Sequence, residues 1–194
     1  KITAEIDGEE QTFHIDKKIK PLDAPDFGKV PHLDRAVALG KFGNFSGKDQ
    51  VTFGGFVRLE GTLNGPLISK MNSRDSYRGW DIWLENNRIG SHIIEKWPNR
   101  AAKAMTAEPL SPGRWHHIMI TYDGKAPAGE NLEIFIDGVS QKLKFTHKAS
   151  GLDQIETDVP VRLANRDGGA QLSGGKAALH SFKLFRRKLN TDEI

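Results

Sequence analysis

The chain has 194 residues, no cysteine and a formal net charge of +3 at neutral pH. This length suits one all-β domain with a sizeable core, and the lack of cysteine excludes disulfides, thiolate metal sites, covalent haem attachment and a cysteine nucleophile. No apolar run approaches the roughly 18 residues that a membrane-spanning helix needs. Because the sequence starts and stops inside patterned segments, we expect residues 1–194 to be one domain of a longer protein.

Short alternating segments separated by Gly, Asn, Asp and Pro predict strands along most of the chain. Asp7-Gly8 predicts a tight turn between strands at 1–6 and 10–15, whereas the Pro- and Lys-rich residues 16–35 are interpreted as a loop. Further strands are predicted at 51–59, 67–71, 79–85, 88–96, 114–122, 131–137, 139–145, 159–164 and 176–185.

Two segments depart from this strand pattern. Residues 98–112 are interpreted as a loop or a short Ala-rich helical turn, and Asn190 or Thr191 precedes two acidic residues in the manner of a helix start. Many short strands with almost no helix predict an all-β fold, either a sandwich or a barrel.

The segment from 79 to 94 predicts a hairpin in detail. Asn86 and Asn87 tolerate the positive φ angles of a type I′ turn, which fixes the register of the flanking strands. That register pairs Glu85 with Arg88, Trp83 with Gly90, Asp81 with His92, and Gly79 with Ile94. Since side chains alternate along a strand, one face is apolar and is predicted to join the core. It carries Trp80, Ile82, Leu84, Ile89 and Ile93.

The opposite face of this hairpin is polar and aromatic. An indole ring over a glycine, flanked by hydrogen-bonding groups, is the type of surface that stacks a sugar or another flat apolar group. Trp97 either forms one wall of the same groove or closes the end of the sandwich. The predicted ligand-binding residues are Asp81, Trp83, Arg88, His92 and Trp97. The alternative is that a loop covers this face and that Asp81 and His92 form a satisfied cross-strand pair.

Three segments carry a family resemblance. GRWHHI at 113–118 with TYDG at 121–124, LEIFIDGV at 132–139 and FKLFRRKL at 182–189 together resemble laminin-G-like, concanavalin A-like domains. This resemblance implies an all-β, two-sheet antiparallel jelly-roll sandwich and a lectin-like binding role. The pair His180-Ser181 stands where acidic residues are common in the family, which weakens the transfer of a calcium site.

A narrower likeness lies in YRGWDIW at 77–83 and SHIIEKWP at 91–98. These segments are similar to the laminin-G-like module of large planctomycete multi-domain proteins that also carry cytochrome c-like domains. The likeness implies an exported, extracytoplasmic protein whose neighbouring domains are partners of this one. Any haem would belong to such a neighbour.

Glu5, Asp7 and Glu10 match the short Glu-x-Asp-x-x-Glu pattern of laminarinase-like hydrolases. A retaining hydrolase needs two carboxyl groups about 5 to 5.5 Å apart in a cleft. A turn at Asp7-Gly8 would leave these acids in water, so we interpret the match as chance and predict no enzyme.

Metal sites have weaker support in the sequence. His116 and His117 are neighbours on a strand, point to opposite faces and cannot chelate one metal together. Calcium stays open, because acidic and amide side chains in loops supply suitable oxygens. These are Asp123, Asp153, Asp158, Asn165 and Asp167.

A basic cluster near the C-terminus lacks the recognition helix or aromatic platform of a nucleic-acid binder, so we expect a solvated strand face and no nucleic-acid partner. It comprises Lys176, Lys183, Arg186, Arg187 and Lys188. The sequence therefore supports a non-catalytic module that binds carbohydrate or a glycan-bearing surface, or else a structural domain that spaces its neighbours and has no small ligand. A hydrolase is the distant third hypothesis.

Overall fold

The computed structural model describes residues 2–13, 21–24, 27–33 and 35–194. The strands are β1 Ile2–Ile6, β2 Glu9–Phe13, β3 Pro21–Ala24, β4 Gly28–Leu33, β5 Val37–Gly40, β6 Gln50–Asn72, β7 Arg78–Glu85, β8 Arg88–Lys96, β9 Arg100–Thr106, β10 Trp115–Asp123, β11 Leu132–Ile136, β12 Val139–Ser140, β13 Leu143–Lys148, β14 Val161–Leu163 and β15 Ser173–Phe185. A single 3-10 turn follows at Thr191–Glu193.

Strand β6 belongs to both layers of the sandwich. Its first half pairs with β10 and β15, and its second half pairs with β7 and β14. Between the halves lie Gly61 and Gly65, whose φ angles of 107° and 110° are readily adopted only by glycine. One layer contains β12, β11, β10, β6 and β15, with β1 and β4 beyond β15; the other contains β5, β14, β6, β7, β8, β9 and β13.

The hydrophobic core lies between the two layers. Trp80 from β7 packs against Phe53 from β6, with ring centroids 4.7 Å apart, and its ring is also parallel to that of Phe182 from β15. The indole nitrogen of Trp80 donates a hydrogen bond of 2.8 Å to the carbonyl oxygen of Gly43, so the one polar atom of this ring is satisfied. The jelly-roll sandwich predicted from the sequence is confirmed.

The predicted tight turns are also confirmed. Asn86 and Asn87 have φ angles of 50° and 62°, and β7 pairs with β8 in the expected register from Glu85–Arg88 to Gly79–Ile94. Asp7-Gly8 joins β1 to β2, although residues 1, 14 and 15 of the predicted strands lie outside the described residues. Asn190 caps the C-terminal 3-10 turn through a capping box with Glu193.

Several predicted elements were wrong because tertiary pairing decided them. Residues 21–24 and 28–33, interpreted as loop, form a hairpin, and its apolar Ala24 and Val30 pack on Ala178. Residues 100–106, interpreted as loop or helical turn, form β9, since β8 and β13 pair with it on both sides. The single strand predicted at 139–145 is divided between β12 and β13, which lie in different layers.

Candidate functional site

The site lies on the outer face of the layer that contains β7, β8, β9 and β13. The strand register aligns Asp81, His92, Lys103 and His147 in one row across these four strands. Side chains directly opposite each other on neighbouring strands lie close together on the same face. The first row is therefore a continuous line of ionisable groups.

A second row runs parallel to the first. It contains Trp83, Gly90, Met105 and Lys144, again one residue from each of the four strands. Gly90 has no side chain, and the side chain of Met105 from the neighbouring strand occupies the space that a Cβ there would need. The predicted pairing of Trp83 with Gly90 is present.

Asp81 lies at the bottom of the site and is fully buried. Its Oδ2 accepts hydrogen bonds from Nε of Arg166, at 2.8 Å, and from Nη2 of the same guanidinium. Its Oδ1 is 2.8 Å from Nδ1 of His92 and accepts a hydrogen bond of 3.2 Å from the His92 backbone amide. Both carboxylate oxygens are thus occupied by charged or polar partners.

This arrangement fixes the protonation of the network. Burial alone would raise the pKa of Asp81, but the charges and hydrogen bonds of Arg166 and His92 outweigh it and lower the pKa to about 2. Burial lowers the pKa of His92 below its usual value, despite the neighbouring carboxylate. The lowered pKa favours the neutral ring at pH 7, and since the ionised Asp81 can only accept, we assign the ring proton to Nδ1, which faces Oδ1. Its Nε2 is then a hydrogen-bond acceptor.

Above this network is a cavity of about 240 Å³. Tyr77, Trp83 and Trp97 supply aromatic walls, and His92 supplies a polar surface between them. The ring of His92 meets those of Trp83 and Trp97 edge-on, at centroid distances of 5.7 and 6.3 Å. Ile94, Lys103 and Arg166 complete the lining.

Neighbouring contacts hold the aromatic walls in place. Trp97 packs against His147 from β13, with ring centroids 4.2 Å apart and ring planes tilted by 40°. The backbone amide of Trp97 donates a hydrogen bond of 2.9 Å to the carbonyl oxygen of Ser76, which joins Trp97 to the loop that carries Tyr77. The aromatic walls formed by Tyr77 and Trp97 thus come from the loop before β7 and the end of β8, which this hydrogen bond joins.

Arg166 covers part of the predicted platform. Its guanidinium carbon lies 4.3 Å from the ring centroid of Trp83 and 5.9 Å from that of Tyr77. A cation at this distance from an indole face is attracted by the ring electrons. Trp83 is half-buried, and the surface open to a ligand is narrower than the bare ring that the sequence suggested.

The structure places the five predicted site residues in three positions. Trp83, His92 and Trp97 line the cavity. Asp81 lies beneath it, beyond contact with solvent. Arg88 lies in a neighbouring groove, where its Nε donates a hydrogen bond of 3.0 Å to the carbonyl oxygen of Ala107.

Four lining residues were missed in the sequence, among them Ile94. Lys103 has a local signal, because Lys103 and Met105 alternate with the smaller inward residues Ala102 and Ala104 in the segment interpreted as loop. Tyr77 stands inside a motif that was noted for its family likeness. Arg166 comes from the loop after β14, 85 residues from Asp81, and no local pattern indicates it.

The acidic motif near the N-terminus is engaged in ion pairs. Glu5 lies 2.8 Å from Nζ of Lys183, and Asp7 lies 2.8 Å from Nε of Arg186. Glu5 and Glu10 are cross-strand neighbours on the β1–β2 hairpin, and Glu10 is exposed. Glu5 and Glu10 also line a small cavity with Lys183, so the interpretation of the motif as chance stays a prediction.

The C-terminal basic cluster is neutralised in the same way. Lys183 and Arg186 form the ion pairs with Glu5 and Asp7 described above. Arg187 pairs with Glu193 and Lys188 pairs with Glu133, each at 2.7 Å. Four of its five cations thus have an acidic partner, as expected for a solvated strand face.

His116 and His117 have separate environments. His116 is buried, with Nδ1 2.9 Å from Oδ2 of Asp137, whereas His117 points to the other face and contacts the ring of Phe56. The prediction that one of the two histidines is buried and hydrogen-bonded is confirmed.

The five residues considered for calcium do not come together. Asp153 pairs with Lys48, Asp167 pairs with Arg162, and Asp123 accepts a hydrogen bond from Gln50. Within the described part of the chain, no group of three or more His, Asp or Glu side chains is arranged to hold a metal ion.

The two-layer sandwich defines a lectin-like class of fold. A laminin G family model, described as the concanavalin A-like lectin/glucanases superfamily, matches residues 33–194. The chain belongs to this family. A comparison with curated protein sequences gives no match.

Solved structures share the fold. The binding domain of botulinum neurotoxin serotype G superposes with a TM-score of 0.66 and 19% identity, over 94% of this chain and 44% of that one. CBM40 of the Ruminococcus gnavus IT-sialidase, bound to α2,3 sialyllactose, superposes with a TM-score of 0.57 and 12% identity, over 86% of this chain and 97% of that one. A SAP-like pentraxin from Limulus polyphemus superposes with a TM-score of 0.54 and 12% identity, over 90% of this chain and 77% of that one.

These neighbours include toxin binding domains and a carbohydrate-binding module. The chain spans about 44% of the length of the neurotoxin binding domain. At these identities the likeness establishes the fold, and the ligand is not carried over. No helix among the described residues is long and apolar enough to cross a membrane.

Proposed function

We propose that this domain is a non-catalytic module that binds a carbohydrate, or a glycan-bearing surface, in the cavity between Tyr77, Trp83 and Trp97. One observation carries the proposal: three aromatic rings enclose a cavity of about 240 Å³ beside the neutral imidazole of His92. Sugar rings present flat apolar C–H faces together with hydroxyl groups, and such a cavity offers partners for both.

Each part of the cavity has a role in this proposal. Trp97, held against His147, offers an indole to the apolar face of a sugar. Nε2 of His92 accepts a hydrogen bond from a hydroxyl group, while the ammonium of Lys103 donates one. Asp81 is a positioning residue, because it touches no ligand and holds Arg166 and His92 in place.

The spacer hypothesis has one observation in its favour. Asp81 and His92 are almost completely covered, in part by Arg166 from the chain's own loop, as expected for a satisfied cross-strand network. In that case the outer face would dock a neighbouring domain of the parent protein. The open cavity above His92 favours a ligand instead.

The wider setting is also a proposal. The family membership and the binding role suit one module of a longer, exported protein, with its function outside the cytoplasm and without catalysis. The ion-paired state of Glu5 and Asp7 supports the last point.

A glycan array with labelled wild-type protein tests the proposal. We expect binding to a subset of oligosaccharides and a loss of affinity of about fivefold in Trp97→Ala, since an aromatic contact contributes roughly 1 kcal/mol. Calorimetric titration of the oligosaccharides found on the array gives the affinity.

Trp97→Phe is the matched control, because it keeps a ring against His147 and should retain most of the binding. Trp83→Ala should also weaken binding, with near-ultraviolet circular dichroism to confirm an intact fold. Wild-type protein that binds no glycan, or variants that bind equally well, would contradict the proposal and favour the spacer.

A further inference from the structure

A second groove adjoins the aromatic cavity on the same sheet face. It has a volume of about 750 Å³ and runs along β9 and β13 toward the loop that follows β9. Lys103 lines both the groove and the cavity, so the two adjoin at this residue. The volume of the groove alone leaves room for more than one sugar unit.

The groove is strongly basic. Four of the residues that line it are cations, and Glu85 is the one acid among them. The cations are Arg88, Lys103, Lys142 and Lys144. Among the described residues none of these four has an ion-pair partner, in contrast to the C-terminal cluster, where four cations are paired.

Protection of a sheet edge from unwanted strand pairing does not explain the positions of all four cations. Lysine on an exposed edge strand commonly blocks unwanted strand pairing, and Lys144 on β13 has such a position. Arg88 and Lys103, however, lie on β8 and β9, which are paired on both sides. Their convergence with the edge lysines therefore needs another explanation.

Lys103 is fixed between two histidines. Its row neighbours are His92 on one side and His147 on the other. Burial lowers the pKa of both histidines, and the charge of Lys103 lowers it further. The histidines are thus neutral at pH 7, and Lys103 carries the unpaired positive charge at the junction of cavity and groove.

We propose that the site is extended and selects an acidic polysaccharide, with sugar rings against the aromatic walls and carboxylate or sulfate groups on the four cations. This inference rests on the proposed function and names its ligand class. Single-stranded nucleic acid is less suited, because none of the described residues that line the groove is aromatic and successive bases would lack stacking partners.

Affinity electrophoresis in native gels tests this inference. The gels contain dextran, dextran sulfate, alginate or none of these, so that neutral, sulfated and carboxylated polymers are compared. We expect retardation by dextran sulfate or alginate and much less by dextran. Lys142→Gln with Lys144→Gln should raise the dissociation constant roughly 2- to 30-fold.

Lys125→Gln with Lys176→Gln is the matched control, since it removes the same charge from exposed positions that line neither the cavity nor the groove. Equal weakening by both double variants would overturn the inference, because a diffuse charge effect would explain it. Equal binding of a single-stranded DNA oligonucleotide, unaffected by Trp97→Ala, would overturn it as well.

The two proposals fail in different ways. Binding of neutral glycans that depends on Trp97, without retardation by either acidic polymer, would keep the proposed function and overturn the acidic ligand. Absence of binding to every glycan and polymer would overturn both. Retardation that both Trp97→Ala and the Lys142/Lys144 variant weaken would support both.

Discussion

Asp81 is a carboxylate with no exposed surface, and Arg166 and His92 hold both of its oxygens. The sequence predicted the pair with His92 from the hairpin register alone. It did not predict Arg166, whose charge lowers the pKa of Asp81 and which stacks on Trp83. At this scale a local pattern found half of the network, and the other half came from a distant loop.

The first prediction concerns this buried ion pair. Asp81→Asn leaves the guanidinium of Arg166 without a counter-charge, so we expect the free energy of unfolding at pH 7 to fall by about 3 kcal/mol. Urea denaturation measures it. The double variant Asp81→Asn with Arg166→Gln should lose less than the sum of the single variants. Simple additivity would show that the two side chains are not coupled.

Strand β6 is the element that joins the layers, and its glycines make the crossing. A Cβ at Gly65 would lie 2.5 Å from the carbonyl oxygen of Gln171. The sequence predicted separate strands at 51–59 and 67–71, and the structure contains one continuous strand. Local patterning found both strand segments but could not show that the chain between them stays extended.

The second prediction follows from this crossing. Gly65→Ala combines an unfavourable φ of 110° with a backbone clash, so we expect a loss of stability of about 2–4 kcal/mol. Gly138→Ala is the control: its φ is 78° and no atom lies within 4 Å of the added Cβ. There the loss should be about 1 kcal/mol. Similar thermal unfolding of both variants would contradict this explanation.

A lysine in the interior makes the stability of the whole molecule depend on pH. Lys70 is almost fully buried, and its Nζ donates a hydrogen bond of 2.8 Å to the carbonyl oxygen of Val159. Burial lowers its pKa from 10.5 to about 8. The negative charge of Asp158 raises this pKa in part, and the positive charge of Lys41 lowers it further. Between these two pKa values Lys70 is protonated in the unfolded chain and neutral in the folded protein, so the unfolded chain binds more protons than the folded one. The free energy of unfolding therefore rises with pH through this range, and the contribution of Lys70 to it is lowest below the range.

The third prediction is that Lys70→Met stabilises the protein at pH 7. We expect a gain of about 1–2 kcal/mol, because a desolvated charge is removed and only one hydrogen bond is lost. The gain should shrink as the pH approaches 10. Urea denaturation at several pH values measures it, with exposed Lys125→Met as a control that stays near zero. A constant difference between wild type and Lys70→Met at every pH would contradict the role of protonation.

Period-two alternation and turn residues let the sequence by itself determine the sandwich class, the tight turns, the register of the β7–β8 hairpin and its inward face. These features depend on residues close together in the chain, where the geometry of a strand or turn is local. Tertiary structure alone decided that the Ala-rich segment 100–106 is a strand, that Arg166 meets Asp81, and that Lys103 joins the cavity to a basic groove. The physical reason is that strand pairing and ion pairing between distant segments depend on how the layers pack, which no local pattern encodes.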